Sequence, residues 1–154
     1  MRVLLLLPLF FFSSGAPRPP RIALPGYFSC RSALVLASGN ALACYAKTQA
    51  ECRNGQLVLA FEKRVSARTD RPRFEIVDTV RVTTAAPGRE IDVTYCSMAT
   101  GKPQQYFVLY KRVPAADKRN LPYVRRAWGV NAQDHLVEVP VKTLRCLNND
   151  YGAD

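Results

Sequence analysis

The stretch that most constrains the fold runs from Gln105 to Val113 and reads Gln-Tyr-Phe-Val-Leu-Tyr-Lys-Arg-Val. It is the densest run of β-forming residues in the chain. Phe107 and Leu109 face one way, and the two tyrosines with Val108 between them face the other. Because a strand that is apolar on both faces must be covered on both faces, this pattern predicts a central strand.

Other strand patterns lie around this one between residues 57 and 146, with turn residues between them. They are Leu57–Val65, Phe74–Thr83, Ile91–Met98, Tyr123–Val130 and Leu136–Val141, and the last two form a predicted hairpin. Short strands separated by regular turns predict a five- to six-stranded antiparallel sheet or barrel. Asp78 falls on the apolar face of its strand, and we interpret it as a bulge or a satisfied hydrogen bond rather than a catalytic group.

Residues 30–52 are predicted to be helical. Apolar residues from Leu34 to Tyr45 recur at roughly helical spacing, and alanine is abundant there. Since Gly39-Asn40 interrupts the pattern, two short helices fit as well as one. The predicted fold class is therefore α+β and mostly β, with a helical N-terminal segment.

The N-terminus has the composition of a secretory signal peptide. Arg2 precedes the apolar run Val3–Phe12, and small residues follow it. We predict a signal peptide over residues 1–15, an extended linker over 16–29 and one disulfide-containing domain over 30–154. The alternative is an uncleaved anchor, although the run is shorter than the roughly 20 residues of a membrane span. Cleavage would leave a periplasmic or extracellular protein without a transmembrane anchor.

Five cysteines lie outside the predicted signal peptide, so export would favour disulfides and leave one cysteine unpaired. Cys44 and Cys52 would be about 12 Å apart along a continuous helix, too far for a bond. Cys30 is the better partner for one of them. Cys96 and Cys146 each end a predicted strand, and we predict a bond between them.

The chain shows no constellation typical of an enzyme. His135, its one histidine, lies in a predicted turn beside Asp134, where we interpret it as a solvated residue rather than a general base. The alternative is an enzyme that uses His135 with a carboxylate or a thiol. With no Cys-x-x-Cys spacing, neither a metal nor a cofactor is predicted. We therefore predict a protein that is not an enzyme.

From residue 55 to 147 the order of features resembles the netrin/TIMP-like version of the OB fold. The long strand Leu57–Val65, the strand Phe74–Val82, a Pro-Gly turn, a strand ending at Cys96, the Tyr-Phe-Val-Leu-Tyr strand and a late cysteine carry the resemblance. The chain departs from the family because it lacks the Cys-x-Cys start of the inhibitory members and has Ser97 where glycine is frequent. The resemblance implies an OB-like barrel. The alternative is a cystatin-like helix packed on an antiparallel sheet.

Basic residues cluster in two segments, and the formal net charge of the chain is +10. In an OB-type barrel the two loops concerned flank one ligand face, so the clusters would form a single positive patch. The predicted contacts to an anionic partner are Lys63, Arg64, Arg68, Arg71, Arg73, Lys111, Arg112, Lys118, Arg119, Arg125 and Arg126. Tyr106, Tyr110, Tyr123 and Trp128 are the predicted aromatic contacts. The alternative is that these charges simply solvate surface loops.

These observations favour a non-enzymatic exported binding module. Its basic face would dock an acidic protein partner, such as an enzyme that it inhibits. The alternative is a module that binds an anionic polymer or an envelope surface: acidic polysaccharide, lipid head groups or nucleic acid.

Overall fold

A computed structural model describes residues 21–31, 33–66, 72–84, 88–98, 101–112 and 118–152. The predicted signal peptide lies outside this part of the chain, as does the start of the predicted linker. The elements are β1 (Phe28–Ser29), β2 (Leu34–Val35), β3 (Ala41–Ala46), α1 (Gln49–Asn54), β4 (Gln56–Ser66), β5 (Arg73–Thr83), β6 (Arg89–Ser97), β7 (Gln104–Lys111), β8 (Val124–Val130), β9 (Leu136–Val139) and β10 (Arg145–Cys146).

These strands form two antiparallel five-stranded sheets. The N-terminal sheet has the order β1-β3-β4-β5, with β2 also paired to β3, and the C-terminal sheet has the order β10-β6-β7-β8-β9. The predicted mostly β, antiparallel character is confirmed. The predicted number of strands, five or six in one sheet, was too small. The strands β1, β2 and β3, which precede residue 57, were not predicted, and they belong to the N-terminal sheet.

The two sheets pack through their inner faces and share one core. The N-terminal sheet contributes Leu42, Leu59 and Phe61, and the C-terminal sheet contributes Phe107 and Trp128, all almost fully buried. Side chains that alternate along each strand place every second residue in this core.

Strand β7 has the predicted central position between β6 and β8. Phe107 and Leu109 lie in the shared core, whereas Tyr106, Val108 and Tyr110 lie in a second core on the opposite face. The C-terminal tail covers this second core with Leu144, and the connection that precedes β8 covers it with the partly buried Leu121. The Cys96–Cys146 bond, which joins β6 to β10, also lies in this core.

The predicted helix over residues 30–52 was wrong. Residues 41–46 form the buried strand β3, and the described helix spans only Gln49–Asn54. In β3, Leu42 and Cys44 face the shared core while Ala41 and Ala43 are buried on the other face. A strand buried on both faces reads as a continuous apolar run, which periodicity cannot separate from a helix.

The disulfides are Cys30–Cys52 and Cys96–Cys146, and Cys44 is a free, buried cysteine. The predicted Cys96–Cys146 bond is confirmed, as is the choice of Cys30 as a bonding partner. Two disulfides are typical of an oxidising, exported compartment.

Asp78 explains why its strand deviates from regular alternation. The pairing of β4 with β5 shifts between Phe61 and Glu62, so that Val77 packs against the shared core. Asp78 Oδ2 accepts a hydrogen bond of 2.7 Å from the Leu136 backbone N–H in the C-terminal sheet. Both elements of the prediction, a bulge and a satisfied hydrogen bond, are therefore present, and Asp78 joins the two sheets along this side.

We expect Asp78→Ala to lower the free energy of unfolding by about 1–3 kcal/mol, because the half-buried Leu136 N–H would lose its acceptor. Asp78→Asn keeps an acceptor oxygen and should cost less than about 1 kcal/mol. Denaturant unfolding of the two variants measures the difference. Equal losses would show that the charge, rather than the hydrogen bond, stabilises this junction.

Candidate functional site

A cavity bordered by described residues opens between the two sheets, at the end where β4 and β6 begin. Its volume is about 440 Å³, within the usual range for ligand sites. Its lining includes three arginines and one glutamate: Arg31, Arg53, Arg89 and Glu90. We call this cavity the arginine cleft.

The Cys30–Cys52 disulfide places two of these arginines. Arg31 directly follows Cys30 and Arg53 directly follows Cys52, and the bond holds the two cysteine Cα atoms 5.6 Å apart. The two basic residues are thereby anchored at neighbouring points although 22 positions separate the bonded cysteines. Arg89 approaches from the other sheet, as the first residue of β6.

Helix α1 is held in a defined position beside the cleft. Thr48 caps its N-terminus in a capping box with Glu51, and Gly55 ends it with a left-handed φ of 70°. The Thr84 N–H donates to the Gly55 carbonyl at 2.9 Å, which joins the end of α1 to the end of β5.

The carboxylate in the cleft is already engaged. Glu90 Oε1 lies 3.0 Å from Arg112 Nη1, and Glu90 Oε2 accepts a hydrogen bond of 3.3 Å from the Tyr110 hydroxyl. Burial and the Glu90 carboxylate raise the pKa of Tyr110, which stays protonated and donates. Within the described chain, no carboxylate forms an ion pair with Arg53 or Arg89, so the cleft favours an anionic group from outside.

Cys44 lines the inner wall of the cleft. Burial raises the pKa of its thiol to about 12, and the nearby Arg31 guanidinium opposes this only in part. A neutral thiol is a poor nucleophile. The arrangement can bind an anion through hydrogen bonds and charge, but it offers no activated nucleophile in Cys44.

The structure separates the two predicted basic clusters. Lys111 lies opposite Arg89 in the register of β6 and β7, and the Arg112 N–H donates to the Gly88 carbonyl at 2.7 Å. Both residues therefore lie close to the arginine cleft. Arg125 lies at the same end of the C-terminal sheet, at a register shift in the β7–β8 pairing.

The first cluster lies at the opposite end. Lys63 forms an ion pair with Asp134 in the turn after β8, and Arg64 and Arg73 lie at the far end of the β4–β5 pair. Strand β8 separates the two ends by about 20 Å at its usual rise per residue. The expected single patch therefore does not form from these residues, because the strands belong to two separate sheets and the two clusters lie at opposite ends of them.

The remaining predicted basic contacts are dispersed. Lys118 and Arg119 lie beside the C-terminal tail, where the Asn148 N–H donates to the Arg119 carbonyl at 2.9 Å. Arg126 binds Glu138 through two hydrogen bonds of 2.8 and 2.6 Å and lies over the Trp128 ring. Arg68 and Arg71 lie outside the described residues.

Of the four predicted aromatic contacts, Tyr123 is exposed, at 51%. Tyr106, Tyr110 and Trp128 are buried in the two cores, so their role as surface contacts was predicted wrongly. Tyr106 packs against Gly129 so closely that a Cβ there would lie 2.5 Å from its ring. These three side chains of β7 and β8 fill the two cores, which their closeness in sequence to basic residues did not reveal.

His135 occupies the predicted turn and its side chain is 63% exposed. Its Nδ1 lies 3.5 Å from Asp78 Oδ2. The same oxygen accepts a hydrogen bond from the N–H of Leu136, the next residue, so this structural contact by itself brings His135 close to Asp78.

No protein-family model matches the chain, and comparisons with curated proteins and with solved structures found no significant similarity. Within the part of the chain that the structure describes, no helix has the length and apolar character needed to cross a membrane. Among the same residues, no three His, Cys, Asp or Glu side chains are grouped as a metal site.

Sequence reasoning missed the arginines of the cleft because Arg31, Arg53 and Arg89 are isolated in the sequence. One signal was available. The dipeptide Cys-Arg occurs at Cys30 and again at Cys52, so bonding of these cysteines necessarily brings their arginines together.

We expect Gly55→Ala to lower the free energy of unfolding by about 2 kcal/mol or more. The position requires a left-handed φ, and the added Cβ would lie 2.0 Å from the Thr84 side chain. Gly39→Ala is the matched control, because Gly39 has a φ of 82° but open space around it. It should cost about 1 kcal/mol from backbone strain alone. Similar losses in thermal or denaturant unfolding would contradict the close approach to Thr84.

We expect native protein to resist alkylation of Cys44 by iodoacetamide at pH 8, since the buried thiol remains protonated. Unfolding in denaturant without reductant should expose one reactive thiol, measured by mass spectrometry. Cys44→Ala should show none under either condition. Rapid labelling of the native wild-type protein would mean that the cleft admits the reagent to an ionised thiol.

Proposed function

We propose that this protein is a non-enzymatic exported binding module that docks an acidic protein partner through the arginine cleft. The observation that carries the proposal is the convergence of Arg31, Arg53 and Arg89 on one cavity. Arginine presents a fork of donors that suits carboxylates, and it keeps its charge at any physiological pH. Inhibition of an acidic enzyme is one form that such docking would take.

Neighbouring charges support the same proposal. Lys111 lies opposite Arg89 in the β6–β7 register, and Arg125 lies at the same end of the sheet. The overall net charge of +10 would raise the encounter rate with an acidic protein. The signal-peptide pattern agrees with a periplasmic or extracellular location.

The second candidate is binding of an anionic polymer or an envelope surface. It is favoured by basic side chains at both ends of the molecule, such as Arg64 and Arg73 at one end and Lys111 at the other. A long polyanion could contact the basic side chains at both ends at once, whereas a carboxylate in the cleft would contact only those at the cleft end.

The Arg53→Gln/Arg89→Gln double variant tests the proposal. We expect it to bind poly-glutamate at least about tenfold more weakly than the wild type, because two charge-assisted hydrogen-bond donors are lost. Titration calorimetry over a salt series measures the affinities, and heparin, anionic vesicles and single-stranded DNA replace poly-glutamate in parallel.

Arg64→Gln/Arg73→Gln is the control, since it removes the same charge from the opposite end. Under the proposal it leaves the affinity for poly-glutamate nearly unchanged. If both double variants weaken heparin, vesicle or DNA binding equally and with steep salt dependence, the polymer candidate replaces the cleft. Absence of binding to every probe would contradict both candidates.

A further inference from the structure

A second cavity adjoins the arginine cleft, on the side of the molecule where Leu34 and Asp92 lie. This second cavity has a volume of about 200 Å³, and its lining shares Arg31, Cys44 and Ile91 with the arginine cleft. The two cavities are therefore adjacent, and we call them together the groove. The Arg31–Asp92 ion pair, at 3.5 Å, lies where they meet.

The two ends of the groove differ in chemistry. The first end contains Arg53 and Arg89, whereas the second adds three aliphatic side chains, Leu34, Leu42 and Val93, to the shared Ile91. Leu34 is 37% exposed, so a bound apolar group would cover surface that now faces water. We call the second cavity the apolar extension.

Strand β6 gives the distance between these ends. Arg89, Ile91 and Val93 alternate along the strand on its inner face and all contribute to the groove. Arg89 and Val93 are four residues apart, which corresponds to about 13 Å of strand. An extended peptide of about four residues would cover the same distance.

The lining of the apolar extension disfavours a polyanion as the ligand of the whole groove. Asp92 and Asn149 line the apolar extension together with the aliphatic residues. Asn149 Nδ2 donates to Asp92 Oδ2 at 2.9 Å and to the Val93 carbonyl at 3.1 Å, so these two polar side chains already bind each other. A polyanion would place a further negative charge near Asp92 and against an aliphatic lining, whereas an acidic peptide can place an uncharged side chain there.

We propose that the groove binds an extended segment of the acidic partner in which a carboxylate side chain and an apolar side chain are about four residues apart. The carboxylate enters the arginine cleft and the apolar side chain enters the apolar extension. This inference rests on the proposed function, since it names the ligand chemistry of the same site.

The probes are nine-residue peptides in a Gly/Ser background, titrated into isotope-labelled protein to millimolar concentration and followed by NMR. One peptide carries Glu and Leu four positions apart, a second replaces Leu by Ser, and a third places Glu and Leu two positions apart. We expect the first to bind about tenfold more tightly than the other two, as partial burial of one leucine side chain would produce.

Leu34→Ser should remove this advantage and leave binding of the Ser peptide unchanged. Val35→Ser is the matched control, because Val35 is the next residue on the same short strand, is more exposed and points to the other face. It should leave the advantage intact. Arg53→Gln/Arg89→Gln should weaken all three peptides.

The outcomes separate the two proposals. Equal binding of all three peptides, lost in the arginine variant, would overturn the groove inference while supporting the arginine cleft. If none of the three peptides bound, both proposals would be overturned. If decanoate bound more tightly than the first peptide and displaced it, the peptide inference would be overturned and the ligand would be an amphiphile.

Discussion

Strand β7 has apolar side chains on both faces, and each face requires its own cover. The N-terminal sheet covers Phe107 and Leu109, and the C-terminal tail with the preceding connection covers Tyr106, Val108 and Tyr110. Because burial of apolar area is the main favourable term in folding, this strand determines how the remaining elements can be arranged around it. The Cys96–Cys146 bond secures the second cover at the edge strand β10.

The two sides of the sheet pair are built differently. On one side Asp78 joins β5 to the start of β9 through the Leu136 N–H. On the other side the exposed Arg31–Asp92 ion pair links the sheets, and exposed pairs of this kind stabilise little. The two cavities lie on this second side, where Leu42, Cys44 and Ile91 of the shared core form part of their lining.

The Cys30–Cys52 bond connects stability with the proposed function. It attaches the end of α1 to the start of the N-terminal sheet and anchors Arg31 and Arg53 at the mouth of the cleft. Three like charges close together repel one another, and the covalent bond holds two of their backbones in place despite this cost. Placing the arginines in advance reduces the entropy lost when an anion binds.

The sequence by itself determined the mostly antiparallel β character, the central strand, the hairpin of β8 and β9, the Cys96–Cys146 bond and the accommodation of Asp78. These properties follow from alternation, turn residues and cysteine positions, which are local or nearly local. It misassigned residues 41–46, because a strand buried on both faces has no polar alternation to reveal it. Only the tertiary structure decided that the basic clusters lie at opposite ends and that Arg31, Arg53 and Arg89 meet in one cleft. Those relations depend on how two sheets pack and which cysteines bond, and side chains that are distant in the sequence carry no periodic signal of their meeting.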